Sequence, residues 1–205
     1  MDNENEPIFN PLAKRNLGKS IVDALLESPA LPLSEIDVFP GAGVYAIYYH
    51  GAFPNYKRLG LLNQREATHP IYVGKAIPRG GRKGASADAS VDSTALSKRL
   101  LEHKASIESV DSLRIEDFTY RSLVVDDIWI PLGETLVIQR FRPLWNQVVD
   151  GFGNHSPGGV REKGMRPLWD ELHPGRAWAA KCKPPKLTRK EILKMVDDYM
   201  ATLAP

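Results

Sequence analysis

The chain nearly lacks cysteine. Its 205 residues contain one, Cys182. No intrachain disulfide can form, and a cysteine-rich zinc site is excluded. A lone thiol suits a reducing compartment. Also missing is any apolar run near the ~20 residues that a membrane-spanning helix needs. The opening residues, Met1-Asp-Asn-Glu-Asn-Glu-Pro7, are acidic and polar, unlike a signal peptide. Together these features predict a cytoplasmic protein with no membrane partner. Charge of one sign is in small excess: 27 Lys and Arg face 25 Asp and Glu, a formal net of +2. That excludes a simple polybasic tail-binder but leaves room for a local basic groove. No Gly-x-x-x-x-Gly-Lys-Ser/Thr loop occurs, which argues against an ATP-driven enzyme. There is no internal repeat and no low-complexity tract.

What remains is ordinary globular composition, 42% apolar and 25% charged. The length suits one domain with an appendage. Charge is unevenly placed: residues 151–205 hold 10 basic and 6 acidic side chains, while residues 1–150 hold 17 and 19.

Leu17, Ile21, Leu25 and Leu26 recur at helical spacing, so a helix is expected over about 16–28. Pro29, Pro32 and Pro40 then keep the chain extended. Gly43-Val-Tyr-Ala-Ile-Tyr-Tyr49 and Pro70-Ile-Tyr-Val-Gly74 read as strands. About twenty mostly polar residues separate them, too many for a tight hairpin, so the strands should pair across an insertion. The glycine-rich stretch after Ile77 is irregular. Asp92 or Ser93 then caps a helix running to about 109, with Leu96, Leu100 and Ile107 as its apolar stripe. A third strand is expected over 118–125. Pro131 opens a further helix that ends at Arg142-Pro143. Near the C-terminus, Thr188-Arg-Lys-Glu191 is a capping box, with Ile192, Val196, Tyr199 and Leu203 as the stripe behind it. The order is strand, strand, helix, strand, helix: an α+β fold.

Several polar residues sit on these elements in a pattern. Tyr45 lies on the first strand and Tyr72 on the second. Arg99 and His103 share one helix face. Glu134 lies in the first turn of the next helix, and Asn146 follows twelve residues later. Taken singly, each has an ordinary structural use. Glu134 would favour a helix dipole, Tyr45 would pack in the core, and Arg99 would pair with Glu102 or Asp92.

Taken together, Gly43-Val44-Tyr45, Tyr72-Val73-Gly74, Arg99-x-x-x-His103, Glu134 and Asn146 stand in the order of the motifs of the GIY-YIG nuclease superfamily, which residues 40–150 resemble. The chain is most similar to the branch of type II restriction endonucleases that cut the palindrome CCGCGG. His103, the Glu134 to Asn146 interval, and the stretches Gly151-Phe-Gly-Asn-His155 and Trp169-Asp-x-Leu-His173-Pro-Gly-Arg176 carry that similarity. The resemblance implies a small antiparallel three-stranded sheet flanked by helices, bearing DNA-binding insertions and a helical C-terminal extension. It divides the chain into an N-terminal segment (1–40), a catalytic core (41–150, with insertions at about 50–69 and 76–92) and an extension (151–205) packed on the core. It also implies a bacterial restriction system with a cognate DNA methyltransferase.

Within that resemblance each residue has an expected task. Glu134 is the single protein ligand to Mg²⁺ (or Mn²⁺), whose shell is completed by oxygens of water and phosphate. Tyr45 is the general base, with Lys75 as the cation that lowers its pKa. His103 is the rival base, or a relay partner of Tyr45. Arg99 holds the scissile phosphate, Tyr72 donates to phosphate or water, and Asn146 orients Glu134 or a phosphate.

The DNA grip is expected from Lys75, Arg79, Arg82 and Lys83, which fall within nine residues. Arg79 and Arg82 are candidate readers of guanine in the major groove. Lys57 and Arg58 form a second candidate arm. The basic tail from Lys181 to Lys194 either tracks phosphates or is one exposed helix face. A palindrome and one active site per chain imply a homodimer. Two other readings are open: another nuclease of the superfamily acting in repair or mobile elements, and a non-catalytic DNA-binding module on the same fold. A PD-(D/E)xK site at Glu102-His-Lys104 fails because those residues fall in a helix.

Overall fold

The computed structural model describes residues 13–78, 89–154 and 164–204. In chain order the elements are α1 (Lys14–Glu27), β1 (Leu31–Pro32), β2 (Gly43–Tyr49), α2 (Lys57–Leu62), β3 (Pro70–Ala76), α3 (Ala89–Asp92), α4 (Ala95–Glu108), β4 (Phe118–Val124), α5 (Ile130–Phe141), α6 (Leu144–Gln147), α7 (Leu168–Leu172), α8 (Ala177–Ala180) and α9 (Arg189–Thr202). The strands form one antiparallel sheet in the order β1-β4-β2-β3.

The sheet has four strands where three were expected. The extra one is the two-residue β1, which pairs Leu31 with Tyr120 and Pro32 with Thr119. Proline has no N–H to donate, and an edge strand is where a sheet tolerates that. The approach segment thus runs along the sheet edge at Leu31–Pro32.

β2 is buried on both faces along its whole length. Val44, Ala46 and Tyr48 turn towards α1 and α5, where Val22, Leu25, Ile130 and Val137 lie. Tyr45, Ile47 and Tyr49 turn towards α4, α6 and the C-terminal helices, joining Leu100, Trp145, Phe152, Trp169 and Ile192 in one core. Residues beyond 150 thus share the core that holds Tyr45.

The 50–69 connection contains α2 and is folded against α9. Asn55 Nδ2 donates to Asp197 Oδ1 at 2.8 Å, and Arg58 donates to the carbonyl of Leu203. Buried Asn63 knots it: Nδ2 donates to the carbonyls of Tyr49 and His69, and Oδ1 accepts from the N–H groups of Thr68 and His69.

Helix ends follow the local chemistry. The Thr188–Glu191 capping box is formed on α9. Ser93 Oγ accepts from the N–H of Ala95 at the start of α4. Pro131 stands in the first turn of α5, and Arg142 ends that helix in the left-handed conformation, φ 46°. On α9 the fully buried stripe is Ile192, Val196 and Met200, with Tyr199 and Leu203 packed at its margin. No helix among the described residues is long and apolar enough to cross a membrane.

His173 is buried among Phe53, Tyr56, Trp145 and Trp169. Its ring nitrogens meet Tyr56 Oη and Ser112 Oγ, both at 2.7 Å. Burial, aided by the Arg189 charge, pushes its pKa down from 6.5 to about 3. The unfolded chain therefore binds a proton that the folded chain refuses as pH falls below about 6.5. Stability should drop by about 1.4 kcal/mol per pH unit from there towards pH 3. Urea denaturation across this window should show that slope. His173→Gln should be less stable at neutral pH but lose stability less steeply on acidification.

Candidate active site

Residues directly opposite in an antiparallel pair point to the same face. Tyr45 stands opposite Gly74, Ile47 opposite Tyr72, and Val44 opposite Lys75. Tyr45 and Tyr72 therefore share the α4 face, while Lys75 lies on the α5 face with Val44. Gly74 is what lets the Tyr45 ring cross over β3. A Cβ at that position would lie 2.3 Å from Tyr45 Oη.

On the α4 face, Tyr45 Oη and His103 Nε2 are 2.6 Å apart. The Tyr45, Tyr72 and His103 rings cluster with centroids 5.1 to 6.3 Å apart. The Arg99 guanidinium, one helical turn before His103, lies near enough to both tyrosine hydroxyls to favour their ionised forms. It also donates from Nη1 to Glu102 Oε2 at 2.9 Å and from Nη2 to the Gly153 carbonyl at 2.5 Å. The ion pair with Glu102 and the contacts to the tyrosines thus coexist. From the α5 face, Glu134 Oε2 meets Lys75 Nζ at 2.6 Å. A cleft of about 730 Å³ opens beside these groups, lined by Lys75, Ile77, Asp92, Ser93, Lys98 and Arg99.

The charge environment of Tyr45 differs from expectation. Lys75 was the expected cation, but the alternation of β3 sends it to Glu134. Burial raises the Tyr45 pKa well above 10, and Tyr72 and Glu134 add to that; Arg99 is the cation that opposes it. Tyr72 is raised for the same first reason, with Arg99 again opposing. Both are phenols at neutral pH.

Asn146 also has a different task from the one expected. Its Oδ1 accepts from Val73 N–H and its Nδ2 donates to Val73 C=O, both at 2.8 Å. β3 is an edge strand, so these backbone groups have no sheet neighbour. The Asn146 amide takes the place of that neighbour and holds the strand carrying Tyr72, Gly74 and Lys75.

Glu134 fits a hard divalent ion. Its side chain is 20% exposed, and a cation, the Lys75 ammonium, already sits against it. Among the described residues, no three His, Cys, Asp or Glu side chains converge into a cage. A one-carboxylate site that draws its other ligands from water and phosphate is the arrangement that suits Mg²⁺.

The structure thus brings Tyr45, Tyr72, Arg99 and His103 together on the α4 face and Lys75 with Glu134 on the α5 face, with Lys75 and Arg99 reaching the cleft and Asn146 holding β3. Lys57 and Arg58 are not brought there. They follow the Tyr49 end of β2, whereas the cleft adjoins the Gly43 end. Arg79, Arg82 and Lys83 lie outside the described residues, but both flanks of that stretch, at Ile77–Pro78 and Asp92–Ser93, line the cleft. Phe152 and Gly153, which had no assigned task, sit against His103 and Arg99. Nothing in their spacing could have shown it, because both arrive from a loop more than fifty residues after α4 begins.

A buried phenol of raised pKa makes a spectroscopic prediction. Alkaline titration followed by tyrosinate absorbance should give the same curve for the native chain and for Tyr45→Phe up to about pH 11. A tyrosinate signal near pH 10 that disappears in Tyr45→Phe would contradict the raised pKa.

Residues 37–200 match the family described as the Eco29kI GIY-YIG domain. No curated protein matches the chain. The matched span covers most of the chain and contains every site residue above, together with α6, α7 and most of α9. Sheet, site and sequence agree: this chain belongs to the Eco29kI GIY-YIG family of restriction-type nucleases.

Proposed function

We propose that the chain is a type II restriction endonuclease that makes metal-dependent double-strand breaks at a palindromic GC-rich DNA site, CCGCGG. The observation that carries the chemistry is the 2.6 Å contact of Tyr45 with His103, with the Arg99 guanidinium beside the phenol and the Glu134 carboxylate near enough to act on it. The resemblance in the 151–155 and 169–176 stretches supports the choice of site.

Hydrolysis of a phosphodiester needs a deprotonated water, a held phosphate and a stabilised leaving oxygen. Glu134 would hold Mg²⁺ (or Mn²⁺), which would supply Lewis-acid stabilisation of phosphate charge and of the leaving oxygen. Lys75 yields that carboxylate and stays at the cleft wall as a phosphate contact. Arg99 offers its guanidinium to the scissile phosphate in the paired geometry that phosphate oxygens accept.

Tyr45 is the proton acceptor for the attacking water, but not as a phenolate, since burial opposes that form. Its oxygen takes the water proton while its own proton passes to His103 Nε2. The phenol is neutral before and after, and the charge ends on the imidazole, a group suited to neutral pH. This makes Tyr45 and His103 one unit rather than rivals.

The substrate is double-stranded DNA. Arg79, Arg82 and Lys83 read and grip it, since the flanks of their stretch line the cleft and arginine pairs with guanine O6 and N7. A palindromic site with two strands to cut calls for a homodimer. The system includes a DNA methyltransferase that protects the host site.

Purified protein should be incubated with a plasmid carrying one CCGCGG site, with Mg²⁺ or with EDTA. The expected result is one double-strand break, at that site, only with metal. Discrete cuts elsewhere would keep the nuclease and discard the site; no cuts, with DNA still bound, would favour a binding module. Glu134→Ala should abolish cutting while specific binding persists. Tyr45→Phe and His103→Ala should each lower the single-turnover rate by about 10²–10⁴-fold, and the double variant should lose little more.

A further inference from the structure

Arg176 is 6% exposed and lies in the Trp169–Arg176 stretch, to which the proposed reaction gives no task. A guanidinium has five N–H donors. Here all five meet acceptors. Nε donates to Asp170 Oδ1 at 2.6 Å and Nη2 to Asp170 Oδ2 at 2.5 Å. Nη2 also donates to the Gly151 carbonyl at 2.9 Å. Nη1 donates to the carbonyls of Phe152 and Asn154, at 3.1 and 2.9 Å. The guanidinium lies over the rings of Trp169 and Trp178, at 4.6 and 4.9 Å from their centroids.

Three of the four carbonyls of the loop 151–154 thus point to Arg176. The fourth, that of Gly153, points the other way and accepts from Arg99 Nη2. The loop is strung between a buried arginine and the phosphate-binding one. Its side chains also face the site. The Phe152 ring stacks on His103, centroids 4.6 Å apart and planes 18° apart, and meets Tyr72 edge-on at 5.0 Å. Gly153 lies so close that a Cβ there would come within 2.3 Å of Tyr72 Oη.

We infer that Arg176, with Asp170, is a positioning residue for the catalytic centre: it fixes the 151–154 loop so that Phe152 sets the plane of His103 and the Gly153 carbonyl sets the orientation of Arg99. This rests on the proposed nuclease reading for its effect on rate, but not for the contact itself. The ion pair is buried, so its net worth to stability is small compared with its cost if broken on one side. What it supplies is geometry. Lysine cannot replace it, because a point charge with three donors cannot serve two carboxylate oxygens and three carbonyls. A displacement of about 1 Å at a reacting group is enough to cost about a hundredfold in rate.

The test compares Arg176→Lys, Phe152→Leu and Gly153→Ala with the native chain. The first readout is the NMR position of the His103 ring protons, which a ring stacked face-on moves upfield. The second is the single-turnover rate of DNA cleavage in Mg²⁺ beside DNA affinity in Ca²⁺. In Arg176→Lys the His103 ring protons should move downfield to the positions seen in Phe152→Leu. The cleavage rate should fall about a hundredfold with affinity retained. Gly153→Ala keeps the Arg176–Asp170 pair and should lower the rate in the same way without lowering the melting temperature comparably. A folded Arg176→Lys with native His103 positions overturns the inference, as does a native cleavage rate. Where Arg176→Lys does not fold, native rates in both Gly153→Ala and Phe152→Leu overturn it. Failure of the native chain to cut any DNA removes the nuclease reading, and the His103 positions still decide the coupling.

Discussion

The register of β2 against β3 is the constraint on which the site depends. Tyr45 opposite Gly74 leaves a gap in β3 where a side chain would stand, and the phenol ring lies across it. The same register puts Tyr72 beside Tyr45 and sends Lys75 to the other face, where it meets Glu134. Because side chains alternate with a period of two, a slip of β3 by one residue would exchange its faces, taking Tyr72 from Tyr45 and Lys75 from Glu134. Asn146 guards against such a slip, since its amide binds both backbone groups of Val73 at the open edge of the sheet.

Two tyrosine–histidine pairs show how location decides chemistry. Tyr45 with His103 and Tyr56 with His173 have nearly the same separation, 2.6 and 2.7 Å. The second pair is walled in by Phe53, Trp145 and Trp169, and burial keeps His173 neutral. It is a core hydrogen bond. The first adjoins the cleft, with Arg99 on the hydroxyl and Glu134 near enough to be felt by it. There the same pair sits within the field of a guanidinium and a carboxylate. Burial acts on both phenols in the same direction and keeps each neutral at pH 7.

The residues after 150 complete the packing around the candidate site. Phe152 and Trp169 belong to the core that contains Tyr45, and residues 152–153 lie against Arg99 and His103. The basic character of the tail is put partly to structural use: Arg189 donates to the carbonyls of Glu171 and Leu172 at the end of α7, and Arg176 is buried.

The sequence by itself determined the longer elements and most of the roster of the candidate site. β-branched and aromatic runs marked β2, β3 and β4, helical spacing marked α1, α4 and α9, and Thr188 and Glu191 marked a cap. These are local preferences, written within a few residues of one another. Motif order brought Tyr45, Tyr72, Arg99, His103 and Glu134 together before any coordinates. Only the tertiary structure decided which groups touch: that Lys75 pairs with Glu134 and not with Tyr45, that Asn146 serves Val73, that Arg58 faces the end of α9, and that Arg176 holds a loop against His103. Each of these depends on which face of a strand a residue takes and on which distant segment packs there. Spacing along the chain carries information about neighbours three or four residues apart, but none about partners fifty residues away.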